Sequence, residues 1–106
     1  MNAKIHALLA ELRRRFEALY GPRLVNLILY GSHARGDAEA GSDIDALVVL
    51  RGPVSTCEEI ARTINDVADI SLEHNEAVTC VFVSEEQFEQ ERSPLLLNVR
   101  REGVPL

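Results

Sequence analysis

The chain has 106 residues, 46% apolar and 26% charged, with seventeen acidic against eleven basic side chains and a net charge of −6. That length fits one domain, residues 1–106, able to bury roughly two-thirds of its unfolded surface without a metal or disulfide staple. Ten of the eleven cations are arginines, scattered rather than gathered into one arm, which argues against nucleic acid as the main partner, because that grip needs clustered cations.

Cys57 and Cys80 sit at no metal-ligand spacing and read as ordinary thiols of a reducing compartment. No apolar run approaches a membrane span. The opening MNAKIHALLAELRRRF interleaves charge with apolar residues, unlike a signal peptide. The expectation is a cytoplasmic protein with no membrane contact.

From Ala3 to Tyr20 the residues Ile5, Leu8, Leu9, Leu12, Phe16 and Leu19 recur at helical spacing, and Gly21-Pro22 stops the helix. Arg13, Arg14 and Arg15 between them read as a solvated face rather than a phosphate patch. Leu24 to Tyr30 (LVNLILY) is rich in strand formers and too short for a free-standing helix, so it predicts a buried strand. Ile44 to Leu50 (IDALVVL) predicts a second, closed by Gly52-Pro53. Ser55-Thr56-Cys57-Glu58 has the form of a capping box. It opens a helix whose core stripe is expected to be Ile60, Ile64, Val67, Ala68 and Leu72. Ala77 to Val83 (AVTCVFV) predicts a third strand. Ser84 with Gln87 is a second capping box before a short helix through Phe88. Ser93-Pro94 opens a last helix carrying Leu95, Leu96, Leu97 and Val99, with Gly103 as terminator. This order predicts a small α/β (α+β) domain: a mixed β-sheet with helices packed on one face. The uncovered face or edge of such a sheet points to self-association, a homo-oligomer.

The informative stretch is GSHARGDAEAGSDIDALVV, from Gly31 to Val49. Gly31 directly after a buried strand lets backbone approach a ligand closely, and Ser32 with the turn's N–H groups can face an anion. Asp43 and Asp45 open the next strand. Residues two apart on a strand share a face, about 6.6 Å apart along the chain. Two carboxylates so placed repel unless a cation sits between them. Magnesium takes such hard oxygen ligands together with substrate phosphates. A phosphate seat joined to paired carboxylates is the equipment of metal-assisted chemistry at phosphorus.

Gly31-Ser32, ten intervening residues, then Asp43-x-Asp45 resembles the signature of the DNA polymerase beta-like nucleotidyltransferase superfamily. The fuller stretch looks like its minimal nucleotidyltransferase branch, often called MNT. The resemblance covers most of the chain and implies a nucleotidyltransferase fold. It implies that Asp43 and Asp45 are catalytic and hold Mg2+ and the triphosphate of a nucleoside triphosphate, ATP foremost. Gly31 and Ser32 would seat the outer phosphates at the start of a short helix, with Arg35 supporting that turn or lying near phosphate. An acceptor hydroxyl would attack the α-phosphorus and expel pyrophosphate. The usual partner of the MNT branch is a HEPN-domain ribonuclease in a toxin–antitoxin pair. The resemblance therefore implies an antitoxin that transfers AMP to a hydroxyl of its partner, or docks to it without transfer.

One departure separates these two readings. The superfamily usually adds a third carboxylate on the next strand, expected near Thr79 or Val81, and neither is acidic. Glu76 steps onto the opposite face, and Asp66 and Asp69 read as solvated helix surface. The intact GS and DxD favour transfer, whereas the missing carboxylate favours a docking module with a vestigial site. A small-molecule-modifying enzyme ranks third, for want of a substrate domain. His33, Asp37 and Glu39 read as loop residues beside the site, Tyr30 as a strand-end core residue, and His6 and His74 as helix-borne side chains without ligand partners.

Overall fold

The first apolar stripe forms helix α1 (Ala3–Tyr20) in the computed structural model, which describes residues 3–106. The helix buries Ile5, Leu8, Leu9, Leu12, Phe16 and Tyr20. Tyr20 replaces the expected Leu19 because Leu12, Phe16 and Tyr20 continue one line of i, i+4 neighbours, leaving Leu19 at the rim. Gly21 at φ +55° ends the helix, and a single 3-10 turn leads into β1 (Leu24–Tyr30).

A loop that includes the four-residue helix α2 (Ser32–Arg35) returns the chain as β2 (Ile44–Leu50), antiparallel to β1. Helix α3 (Thr56–His74) then crosses over to β3 (Val78–Ser84), parallel to β2. Helices α4 (Glu85–Gln90) and α5 (Pro94–Glu102) follow. The two-residue β4 (Val104–Pro105) closes the sheet in the order β3-β2-β1-β4. Strand β4 has no counterpart in the sequence reading: two residues carry no periodicity, and Pro105 is tolerated because it lies at a sheet edge.

Central position explains why β2 is apolar almost throughout. Ile44, Ala46, Val48 and Leu50 pack with α1 and Ile70 on one face, while Leu47 and Val49 pack with Ile28, Val83, Leu96 and Val99 on the other. The mixed sheet is as expected, and α1 and α3 cover one face. Helix α5 departs from the one-face arrangement by placing Leu96 and Val99 on the opposite side. The capping box at Ser84 and Gln87 forms in full. Ser55 stands at the N-cap of α3, yet among the described residues its side chain makes no capping hydrogen bond.

Helix α3 turns in only part of the face its apolar pattern predicts: of the expected stripe, Val67 packs against the core. Ile60, Ile64 and Leu72 are 46%, 56% and 83% exposed, whereas Glu59, Thr63 and Ile70 are buried. The reason is a polar seam with α1. Glu59 accepts hydrogen bonds from the Tyr20 hydroxyl at 2.8 Å and from Arg62 Nε at 3.0 Å, and Arg23 lies 3.6 Å away. Thr63 Oγ1 donates to the Glu59 carbonyl at 2.8 Å. Arg15 Nη1 reaches Asp66 at 3.2 Å and Asp69 at 3.4 Å, and His74 meets Glu11 at 3.2 Å. Buried polar groups that are fully partnered cost little, and unpairing them costs much. The helix rotation that satisfies the seam therefore wins over the one that would bury two isoleucines. Arg13 and Arg14 also pair with Glu17 and Glu11, so this arginine run is bound up in carboxylates rather than free for phosphate. Among the described residues no helix is long and apolar enough to cross a membrane.

Candidate active site

The end of β1 and the beginning of β2 meet because the two strands are antiparallel neighbours. Their register sets Tyr30 opposite Asp45, and the parallel pairing of β2 with β3 sets Asp45 beside Thr79. Tyr30, Asp45 and Thr79 thus form one row across the sheet. The position beside Asp45 expected to hold a third carboxylate carries Thr79, and Val81 lies two residues further on the same face.

Gly31 follows Tyr30 at φ +77° and ψ −158°, a conformation essentially restricted to glycine. It is the N-cap of α2, whose first residue is Ser32. A Cβ on Gly31 would lie 2.4 Å from Asp45 Oδ2. The Asp45 carboxylate therefore rests against bare backbone of the turn, and the GS and DxD segments form one contiguous site. Asp43 is exposed at the strand entrance and Asp45 is half-buried. Burial first, then the Asp43 charge, push the Asp45 carboxyl above its ordinary range, with His33 and Arg35 countering in part. Two neighbouring hard oxygen donors whose negative charge is only partly countered are a donor set suited to magnesium.

The structure adds a carboxylate that sequence reasoning missed. Glu102, the last residue of α5, accepts a hydrogen bond from the Gly31 N–H at 3.3 Å. Both of its oxygens accept from Arg35 Nη1, at 3.2 and 3.3 Å. Arg35 Nε donates to Asp37 Oδ2 at 3.1 Å, so this guanidinium braces the turn between two carboxylates. No local pattern announces Glu102, which lies 71 residues from the glycine it touches.

The remaining candidates are structural in this arrangement. His33 Nε2 contacts the Ser42 carbonyl at 3.2 Å, and Ser42 Oγ accepts from the Glu39 N–H at 3.0 Å, which together fold the loop toward Asp43. Glu76 pairs with Lys4 at 3.4 Å. Burial and the Asp45 charge raise the Tyr30 phenol, in keeping with a strand-end residue packed beside the carboxylate. Cys57 and Cys80 are free thiols, the latter pushed up to about 12 by burial. Glu11, Glu73 and His74 bring ligand atoms within 4.8 Å of one another, but Arg15 already neutralises Glu11 there. A cavity of about 300 Å³ behind the loop is lined by Ile5, His33, Gly36, Glu39 and Glu76 among others. Asp43 and Asp45 do not line it.

Residues 9–101 match the nucleotidyltransferase domain family. No curated protein matches the chain. In fold it is similar to a toxin–antitoxin structure with AMP-PNP, at 20% identity over 96% of this chain and 68% of that one, with a TM-score of 0.61. A structure assigned as a minimal nucleotidyltransferase is similar at 24% identity over 100% and 97% of the two chains, TM-score 0.63. A third likeness is to tri-AMPylated Shewanella oneidensis HEPN toxin in complex with MNT antitoxin, at 16% identity over 92% and 70%, TM-score 0.53. The family match takes in both strands of the candidate site and the helices that flank them: the chain belongs to the nucleotidyltransferase domain family.

Proposed function

We propose that this chain is a single minimal nucleotidyltransferase domain, residues 1–106, acting as the antitoxin of a HEPN/MNT pair. It transfers AMP from ATP to a hydroxyl of its HEPN-domain partner. The observation that carries this reading is the seating of the Asp45 carboxylate against Gly31, with Oδ2 at 2.4 Å from where a Cβ would stand. A carboxylate held there and a phosphate-seating turn are adjacent by construction. The likeness in fold to an AMP-PNP-bound toxin–antitoxin and to an AMPylated HEPN complex supports the choice of nucleotide and partner.

Asp43 and Asp45 would hold magnesium, which would supply Lewis-acid neutralisation of the triphosphate. The chain's own residues supply position. The Gly31–Ser32 turn would orient the outer phosphates so that the α-phosphorus lies open to an incoming hydroxyl. Arg35, braced by Glu102 and Asp37, would keep that turn from moving as charge builds on the leaving group. A bond from the acceptor oxygen to phosphorus forms as the bond to pyrophosphate breaks. The hydroxyl proton would pass to solvent, which reaches the site at the exposed Asp43. Positioning of this kind can supply most of a phosphoryl-transfer rate enhancement.

The threonine beside Asp45 favours a second reading, in which the fold is kept for docking and the site is vestigial. Intact-mass measurement of the HEPN partner after incubation with this protein, magnesium and ATP separates the two. A gain of one or more AMP units that disappears with Asp43→Ala supports transfer. A stable complex with no mass gain overturns it in favour of docking.

A further inference from the structure

We propose that Glu102 is a positioning residue of the nucleotide site, holding the Gly31–Ser32 turn and the Arg35 guanidinium in the geometry that receives the triphosphate. The proposal rests on the nucleotidyltransferase reading above and assigns it a residue outside the GS and DxD segments. Glu102 keeps only 16% of its side chain exposed, and its oxygens are taken up by the Gly31 N–H and by Arg35. Acceptors already committed to two donors serve to hold those donors, so the role is support rather than contact with substrate.

Its backbone is pinned to match. Gly103 follows at an ordinary negative φ, and glycine is required there for space: a Cβ would lie 2.4 Å from the Val99 carbonyl oxygen and 2.7 Å from Ile28 Cγ2. The Gly103 N–H donates to that carbonyl at 2.7 Å, and β4 pairs at once with Ile28 and Leu29 of β1. The strand that delivers Gly31 thus also anchors the residue that grips it. Gly31 is held from two sides, by Asp45 against its α-carbon and by Glu102 on its N–H. Without Glu102 the turn loses its tie to α5, and Arg35 keeps Asp37 alone.

The test compares wild type with Glu102→Ala, Glu102→Gln, Arg35→Ala and the Arg35→Ala/Glu102→Ala double variant. Binding of magnesium with AMP-PNP is measured by calorimetry, well below each melting temperature. Loss of a supporting residue of this kind typically weakens binding or activity by about 10-fold to 100-fold. That range is expected for Glu102→Ala, with Glu102→Gln between it and wild type, because the amide oxygen still accepts from Gly31. The double variant should weaken binding by less than the product of the two single losses, since both single variants already remove the shared Arg35–Glu102 contact. A Glu102→Ala protein that melts lower yet binds the analogue as wild type does would overturn the proposal and leave only a structural staple. If wild type bound no analogue, the proposed function would fall by itself. Exchange of the Gly31 amide in the nucleotide-free protein would then decide, faster exchange in Glu102→Ala upholding the bracket and unchanged exchange overturning it.

Discussion

Replacing Gly31 with alanine tests whether the contact between turn and carboxylate sets the site. Two costs are separable. The first is backbone strain: φ +77° with ψ −158° is open to glycine alone, and forcing another residue there costs about 1–3 kcal/mol. At about 4–8 °C per kcal/mol for a domain near this size, the melting temperature should fall by at least about 4 °C. The second is displacement. The new methyl would stand 2.4 Å from Asp45 Oδ2, where ordinary contact begins at 3.4 Å, so the carboxylate or the turn must retreat by the difference. A misplacement of about 1 Å at a reacting centre can cost on the order of 100-fold in rate. Gly52→Ala is the control, since Gly52 has φ +84° but open space around it and lies in the loop after β2, away from the turn. Its strain cost of about 1–2 kcal/mol should leave the site alone. Thermal melts together with AMP transfer to the partner read the two costs apart. Similar melting losses with transfer lost only in Gly31→Ala support the reasoning. A folded Gly31→Ala protein that transfers at the wild-type rate would refute it.

Three further outcomes are expected. Ile70→Ala, at a fully buried position, should cost about 2–5 kcal/mol; urea titration should find exposed Ile64→Ala within about 0.5 kcal/mol of wild type. Burial tends to raise the Glu59 carboxyl, but the Tyr20 hydroxyl, Arg62 and Arg23 outweigh it and hold it below its usual value of 4.5. Its contribution is therefore complete above that pH and lost as pH falls below it, so Glu59→Gln should flatten the acid limb of a stability–pH profile. Thr79→Asp would add a carboxylate beside Asp45, and its melting temperature should fall without magnesium and recover with it, a response that wild type shows more weakly.

The first three strands and the Ser84 capping box were legible because each is written in neighbouring residues. LVNLILY and IDALVVL announce themselves by composition, and Ser84 with Gln87 by a three-residue offset. Helix α3 is the instructive failure. Its sequence carries two usable faces, one apolar through Ile60, Ile64 and Leu72, the other through Glu59, Thr63 and Ile70. Periodicity reports that faces exist, and hydrophobicity ranks them as though the partner were apolar. The partner here offers Glu11, Arg15 and Tyr20, up to 63 residues away in sequence. A buried Glu59 becomes inexpensive only when the Tyr20 hydroxyl and Arg23 are known to face it, and that knowledge is tertiary.

The same distinction divides the candidate site. Gly31, Ser32, Asp43 and Asp45 fall within fifteen residues, at the adjoining ends of two strands joined by one loop, so their meeting follows from a single antiparallel pairing. Glu102 reaches Gly31 only after the chain has crossed over, reversed through α5 and returned as β4 along β1. The adjoining Gly103 hides its purpose as well. A glycine at a helix end reads as a left-handed terminator, yet this one has φ −66° and is needed because Ile28 and the Val99 carbonyl leave no room for a side chain. Local motifs therefore mark where the paired carboxylates sit. What keeps the glycine turn from drifting off Asp45 comes from the opposite end of the chain, through a helix terminus whose placement depends on close packing against β1.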